Sequence, residues 1–143
     1  MLNKWKNALL TKEVTIPVSN EMLSFIKPKV EGISNAKVSI DQVLILTGTY
    51  TVEKLFIKKD ISFQIRLKPK SSEGRMVLFD IDSIKPFNLD IINDYVMNNK
   101  YMTYSKNVLS VDLNAIDAVR KVPVGQIRDV QIVNDRLMIT MGI

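Results

Sequence analysis

The stretch Ile61 to Asp82, ISFQIRLKPKSSEGRMVLFDID, decides the fold. Ile61, Phe63, Ile65 and Leu67 alternate with Ser62, Gln64, Arg66 and Lys68, and a period of two marks a half-buried strand. Lys70-Ser71-Ser72-Glu73-Gly74 supplies turn residues, with Gly74 free to take a positive φ. The return strand carries Val77, Phe79 and Ile81 on one parity and Asp80 and Asp82 on the other. With Lys68 opposite Met76, Leu67 faces Val77, Ile65 faces Phe79 and Phe63 faces Ile81. One register thus gathers every core candidate on one face, which is what fixes a register.

Upstream of this hairpin, Val14, Ile16 and Val18 alternate in a strand whose Pro17 places it at a sheet edge. Ser19 fits an N-cap for a helix over 19–31, with Met22, Phe25, Ile26 and Val30 on one stripe and Pro28 ending or kinking it. Residues 36–40 and 43–47 read as strands around a bulge or tight turn at Asp41-Gln42. Residues 49–57 continue extended, and Lys58-Lys59-Asp60 reads as a polar turn into the hairpin.

Downstream, Asn88 caps a second main helix over 88–98, with Leu89, Ile92 and Val96 on one stripe. Residues 101–104 read as extended, and Asn107 to Leu113 as a short strand. Asn114 caps a short third helix, Ala115 to Lys121, with Ile116 and Val119 inward. A second hairpin closes the chain. Its Asn134-Asp135 turn sets Ile132 opposite Leu137 and Val130 opposite Ile139. The expected fold class is α+β: a strongly curved antiparallel sheet wrapped on two main helices, with a short third.

At 143 residues the chain is long enough for one domain with a real core, here 13–143, preceded by a basic segment over 1–12. That segment carries Lys4, Trp5 and Lys6; as an amphipathic helix it would form a foot on a membrane surface, with Trp5 at headgroup level. The competing reading packs Trp5 and Leu9 on the domain itself. The net charge of +5 favours anionic partners. No run reaches the roughly 20 apolar residues of a membrane span. Met1 to Leu10 lacks the long apolar region and small-residue cleavage site of an export signal. The chain as it stands reads as cytoplasmic or membrane-peripheral, and as extracytoplasmic if a leader has been removed.

The chemistry is sparse. Without cysteine or histidine there is no thiol catalysis, no disulfide and no imidazole base. The five glycines are isolated, so no phosphate loop exists. Asp80 and Asp82 share a strand face, and Asp90 and Asp94 a helix face, but without the loop geometry of a cation site. No cofactor and no metal site is expected, and no enzymatic activity. Lys54, Lys58, Lys59, Arg66, Lys68, Lys70 and Arg75 concentrate positive charge around the hairpin. A single-strand binder also needs exposed aromatic rings. Phe63 and Phe79 fall on the core parity, so nucleic acid is the third choice of partner.

Four segments in the order IRLKPKSSEGRMVLFDI, PFNLDIINDYV, NVLSVDLNAI and IRDVQIVNDRLMITMGI add a resemblance. A polar hairpin ending in Gly precedes a helix, then comes an L-x-V-D-L segment at Leu109 to Leu113, then a closing D-x-L-x-I at Asp135 to Ile139. Over roughly residues 36–143 this order resembles the LmeA-like bacterial lipid-binding proteins and their tubular lipid-binding (TULIP-like) relatives. The resemblance implies a half-barrel sheet wrapped on helices, an apolar groove for lipid, and no catalysis.

The expected function is non-enzymatic binding of a lipid or other apolar ligand, or docking at an anionic membrane surface. The candidate ligand-lining residues are Ile61, Phe63, Ile65, Val77, Phe79, Ile81, Ile132, Leu137 and Ile139. The alternative is a structural or protein-interaction domain with a filled core, a homodimer among its forms. Periodicity does not separate a filled core from a lined groove.

Overall fold

Strand periodicity translates into two antiparallel sheets. The computed structural model describes residues 13–27, 32–86, 97–123 and 125–142. In chain order the strands are β1 (Glu13–Val18), β2 (Ile33–Asp41), β3 (Val43–Lys54), β4 (Ile57–Glu73), β5 (Met76–Lys85), β6 (Met102–Ser105), β7 (Val108–Asp112), β8 (Gln126–Val133) and β9 (Arg136–Gly142). A strongly curved six-stranded half-barrel runs β2-β3-β4-β5-β7-β6, and a three-stranded sheet runs β1-β9-β8. Pro17 sits in β1, at an edge of the small sheet, where no neighbour needs its missing N–H.

The closing hairpin has the register its sequence dictates: Ile132 opposite Leu137 and Val130 opposite Ile139, with Asn134 in the left-handed region (φ 58°). The central hairpin has the expected faces but different partners. Its turn is Gly74-Arg75, with Gly74 at φ 60°, and Lys70 to Glu73 belong to β4. Leu67 faces Ile81, Pro69 faces Phe79 and Ile65 faces Ile84, while Val77 faces Ser72. Two bulges reconcile these pairs. One leaves Lys70 unpaired on β4 and the other leaves Asp82 unpaired on β5. One extra residue on each strand restores the alternation, so Leu67, Val77 and Phe79 all reach the core. The polar run at 70–73 is tolerated because β3 pairs with β4 only as far as Leu67, and Ser72 instead donates to the Ile127 carbonyl at 3.1 Å.

The turn before this hairpin also moves. It is Leu55-Phe56, with φ of 52° and 71°, and Lys58 to Asp60 lie inside β4 opposite Glu53, Val52 and Thr51.

The expectation of two main helices is not met by the described residues. Over 19–31 there is one 3-10 segment, Glu21–Ile26, with Asn20 rather than Ser19 at its N-cap and no side-chain capping bond. Lys27 leaves the helix at φ −58° and ψ 128°, the extended conformation required before Pro28. Leu23 and Ile26 are its buried pair. The segment predicted as a helix over 88–98 lies largely outside the described residues, as does the N-terminal segment with Lys4, Trp5 and Lys6. The short third helix divides into a 3-10 turn, Leu113–Ala115, and one α-turn, α1 (Asp117–Arg120). Asp112, not Asn114, caps the 3-10 turn, its Oδ1 accepting from the Asn114 N–H at 2.9 Å, and Ile116 stands at the N-cap of α1 without a side-chain bond.

One buried cluster joins both sheets. Val18, Leu137 and Ile139 of the small sheet pack with Leu44, Leu67, Phe79 and Val111 of the large one and with Val119 of α1. Arg75 pins the joint. Its guanidinium donates to the carbonyls of Gly125 (3.2 Å), Val119 (3.1 Å) and Val122 (2.6 Å) and to Asn114 Oδ1 (3.1 Å). The backbone adds Ile127 N–H to the Gly74 carbonyl at 2.7 Å and Leu113 N–H to the Arg75 carbonyl at 3.1 Å. Arg75 therefore ties the carbonyls of the loop after α1 to the hairpin turn and adds a second bond to the Val119 carbonyl, which also accepts from the Val122 N–H at 3.1 Å.

Candidate functional site

Of the residues expected to line a groove, Phe63 is 8% exposed, Ile65 2%, and Val77, Phe79, Leu137 and Ile139 are fully buried. Ile81 and Ile132 are half-buried at the margin of the same cluster, and Ile61 is half-buried apart from it. The structure brings all but Ile61 together, as packed core or the side chains against it.

The exposed apolar surface is elsewhere, on the turn that the sequence did not mark. Beyond Tyr50 and before Gln64, the β3–β4 pair outruns its neighbours. β2 ends at Ile33, opposite Tyr50, with one further bond from the Thr51 N–H to the Gly32 carbonyl at 2.8 Å. β5 ends at Lys85, opposite Gln64. Among the described residues, 51–60 thus form a two-stranded arm whose tip stands roughly 15 Å past the last β2 pair, at about 3.3 Å per residue. Leu55, Phe56 and Ile57 at this tip are 86%, 104% and 69% exposed.

The arm is amphipathic by its pleat. Thr51, Glu53, Lys58 and Asp60 share one face, with the Thr51 hydroxyl donating to Asp60 Oδ1 at 2.8 Å and Glu53 opposite Lys58. Val52, Ile57, Lys59 and Ile61 occupy the other face, in line with buried Phe63 and Ile65. An isolated hairpin is marginal in water, so these cross-strand pairs matter to its persistence. The turn itself is unfavourable. Two consecutive left-handed residues suit Asn-Gly, and here they are Leu and Phe. Backbone strain of about 1–3 kcal/mol per such residue survives where the side chains have a use. The signal available in the sequence was the mirrored Glu53-Lys54 and Lys58-Lys59 around an apolar triplet.

Other candidates are dispersed. Asp80 pairs with Lys70 at 3.7 Å and Asp82 with Arg66 at 3.9 Å, and Asp90 and Asp94 lie outside the described residues. Among the described residues no group of three potential metal ligands occurs. The basic residues of the central hairpin do not form one face: Arg75 turns into the joint, Arg66 and Lys70 meet aspartates, and Lys58 and Lys59 point to opposite sides of the arm. Phe63 and Phe79 are buried and offer no stacking platform. No described helix is long and apolar enough to cross a membrane. No family model, curated protein or solved structure matches the chain.

Proposed function

We propose that this chain is a non-enzymatic module that docks on an anionic membrane surface through the tip of its β3–β4 arm. The observation that carries this reading is the exposure of Leu55, Phe56 and Ile57 at a strained turn flanked in sequence by Lys54, Lys58 and Lys59. Burying each large apolar side chain is worth about 1.5–3 kcal/mol, and each lysine at an anionic surface about 1 kcal/mol. The sum resembles one acyl chain, enough for reversible attachment. Lysine favours lipid over a protein partner here, because protein interface cores are depleted of it, whereas lysine stems lie readily along an apolar boundary with the ammonium in water. The test is co-sedimentation with phosphatidylglycerol-containing vesicles. L55S/F56S/I57S should stay folded and lose vesicle binding; binding equal to wild type would sink the proposal.

A second reading is an apolar ligand held inside the half-barrel, as in the LmeA-like and TULIP-like proteins the sequence resembles. Support comes from the strong curvature of the six-stranded sheet and its one apolar face. Native mass spectrometry of freshly purified protein tests it: an extractable adduct of lipid mass supports the ligand, and a bare chain mass rejects it. The filled core among the described residues favours, in that event, a domain that binds proteins, and the same spectrum reads its oligomeric state.

A further inference from the structure

On the sheet face opposite the core, four residues stand in one row across four strands. Lys37 of β2, Thr47 of β3, Gln64 of β4 and Lys85 of β5 are successive backbone partners. A second row on the same face, Ser34, Thr49 and Ser62, runs beside it. Thr47, Thr49, Ser62 and Gln64 line the space between the two lysines together with Gly48 and Phe63, and the β2 bulge adds Asn35 (φ 54°). The result is an open hollow of about 480 Å³.

Its charge is one-sided. No acidic residue lines it, and among the described residues neither Lys37 nor Lys85 takes part in an ion pair. Of the acids on this face, Asp82 pairs with Arg66, Asp60 accepts from the Thr51 hydroxyl, and Asp41 stands four residues along β2 from Lys37. Three inter-strand spacings separate the lysine Cα atoms, roughly 14 Å at about 4.8 Å each. Flexible four-carbon stems are long enough for both ammoniums to reach an anion between them.

We infer that this hollow binds a phosphate-bearing anion, with Lys37 and Lys85 closing on it from two sides and the Thr47, Thr49 and Ser62 hydroxyls and the Gln64 amide donating from below. Phosphate fits better than a carboxylate. Its oxygens point in several directions and meet separate donors and two mobile point charges, whereas carboxylates are best held by the planar fork of an arginine. The span suits two or more linked phosphates, or one phosphate within a larger headgroup. This inference does not depend on the docking arm, since the hollow shares neither Leu55, Phe56 nor Ile57 with it.

The experiment is an amide NMR titration with sodium tripolyphosphate at low salt. Shifts should centre on Thr47, Thr49, Ser62 and Gln64, and K37Q and K85Q should each weaken binding roughly tenfold, the lower end of a hydrogen bond to a charged group. K37Q/K85Q should leave no measurable saturation, while K70Q should titrate like wild type. The inference is overturned if shifts avoid those four amides, or if K37Q/K85Q titrates like wild type. Vesicles separate the sources. If K37Q/K85Q loses phosphatidylglycerol vesicles as well, the anion is a lipid headgroup; if it loses only tripolyphosphate, the anion is soluble. L55S/F56S/I57S should keep full tripolyphosphate affinity, so the two proposals fail separately.

Discussion

Phe63 of β4 lies directly opposite Gly48 of β3, close enough that a Cβ on Gly48 would sit 2.7 Å from its Cζ and 2.9 Å from its Cε1. The ring occupies the place a side chain on β3 would have filled. Gly48→Ala should therefore drive the ring off its site and cost about 1–3 kcal/mol, the usual range for overpacking. Chemical denaturation reads the loss. Adding Phe63→Leu should recover part of it, and a purely additive double-mutant cycle would contradict the contact.

Arg75 makes an all-carbonyl and amide set of bonds, so charge alone cannot replace it. Arg75→Lys keeps the charge and loses the planar fork. It should destabilise by about 1.5–3 kcal/mol, the range for hydrogen bonds to a charged group. Hydrogen exchange should speed up first at Leu113, Val122 and Ile127, which adjoin the joint. Exchange unchanged there would show that the backbone bonds suffice.

Phe79 is fully buried, between its cross-strand partners Pro69 and Leu109. Phe79→Ala should cost about 3–5 kcal/mol as a core truncation. A smaller loss, together with the disappearance of a lipid adduct in native mass spectrometry, would assign Phe79 to a ligand cavity instead.

Replacing Leu55-Phe56 by Asn-Gly should do two opposite things. It gives the turn the residues its φ values require, and stability should rise by about 1 kcal/mol or more as strain is relieved. Vesicle binding should fall sharply. A variant that is more stable and binds as well as wild type would show that the exposed side chains have no docking role.

What the sequence revealed depended on how local the deciding interactions were. Ile132 and Leu137 are five residues apart across one short turn, so alternation alone set their pairing. Leu67 and Ile81 were placed on the correct face yet with the wrong partners, because bulges at Lys70 and Asp82 leave no trace in a period of two. Leu55-Phe56 was invisible as a turn because neither residue carries turn chemistry, and Lys58-Lys59-Asp60, which do look like a turn, are held extended by β3. The hollow between Lys37 and Lys85 joins residues from four strands, and only the assembled sheet brings them into line.

β4 is seventeen residues long and begins at the exposed tip, ending one residue short of the Gly74-Arg75 turn that pins the two sheets. Its first part pairs with β3 and its last part with β5, and only Gln64 to Leu67 pair with both. Mechanically, it is a tie rod. Ladder hydrogen bonds lie across the strand direction. A pull on the tip is therefore met in shear by many bonds at once rather than by peeling them one at a time, and the load ends at Arg75. A body tethered by Phe56 would hold under tension until the joint between its sheets gave way.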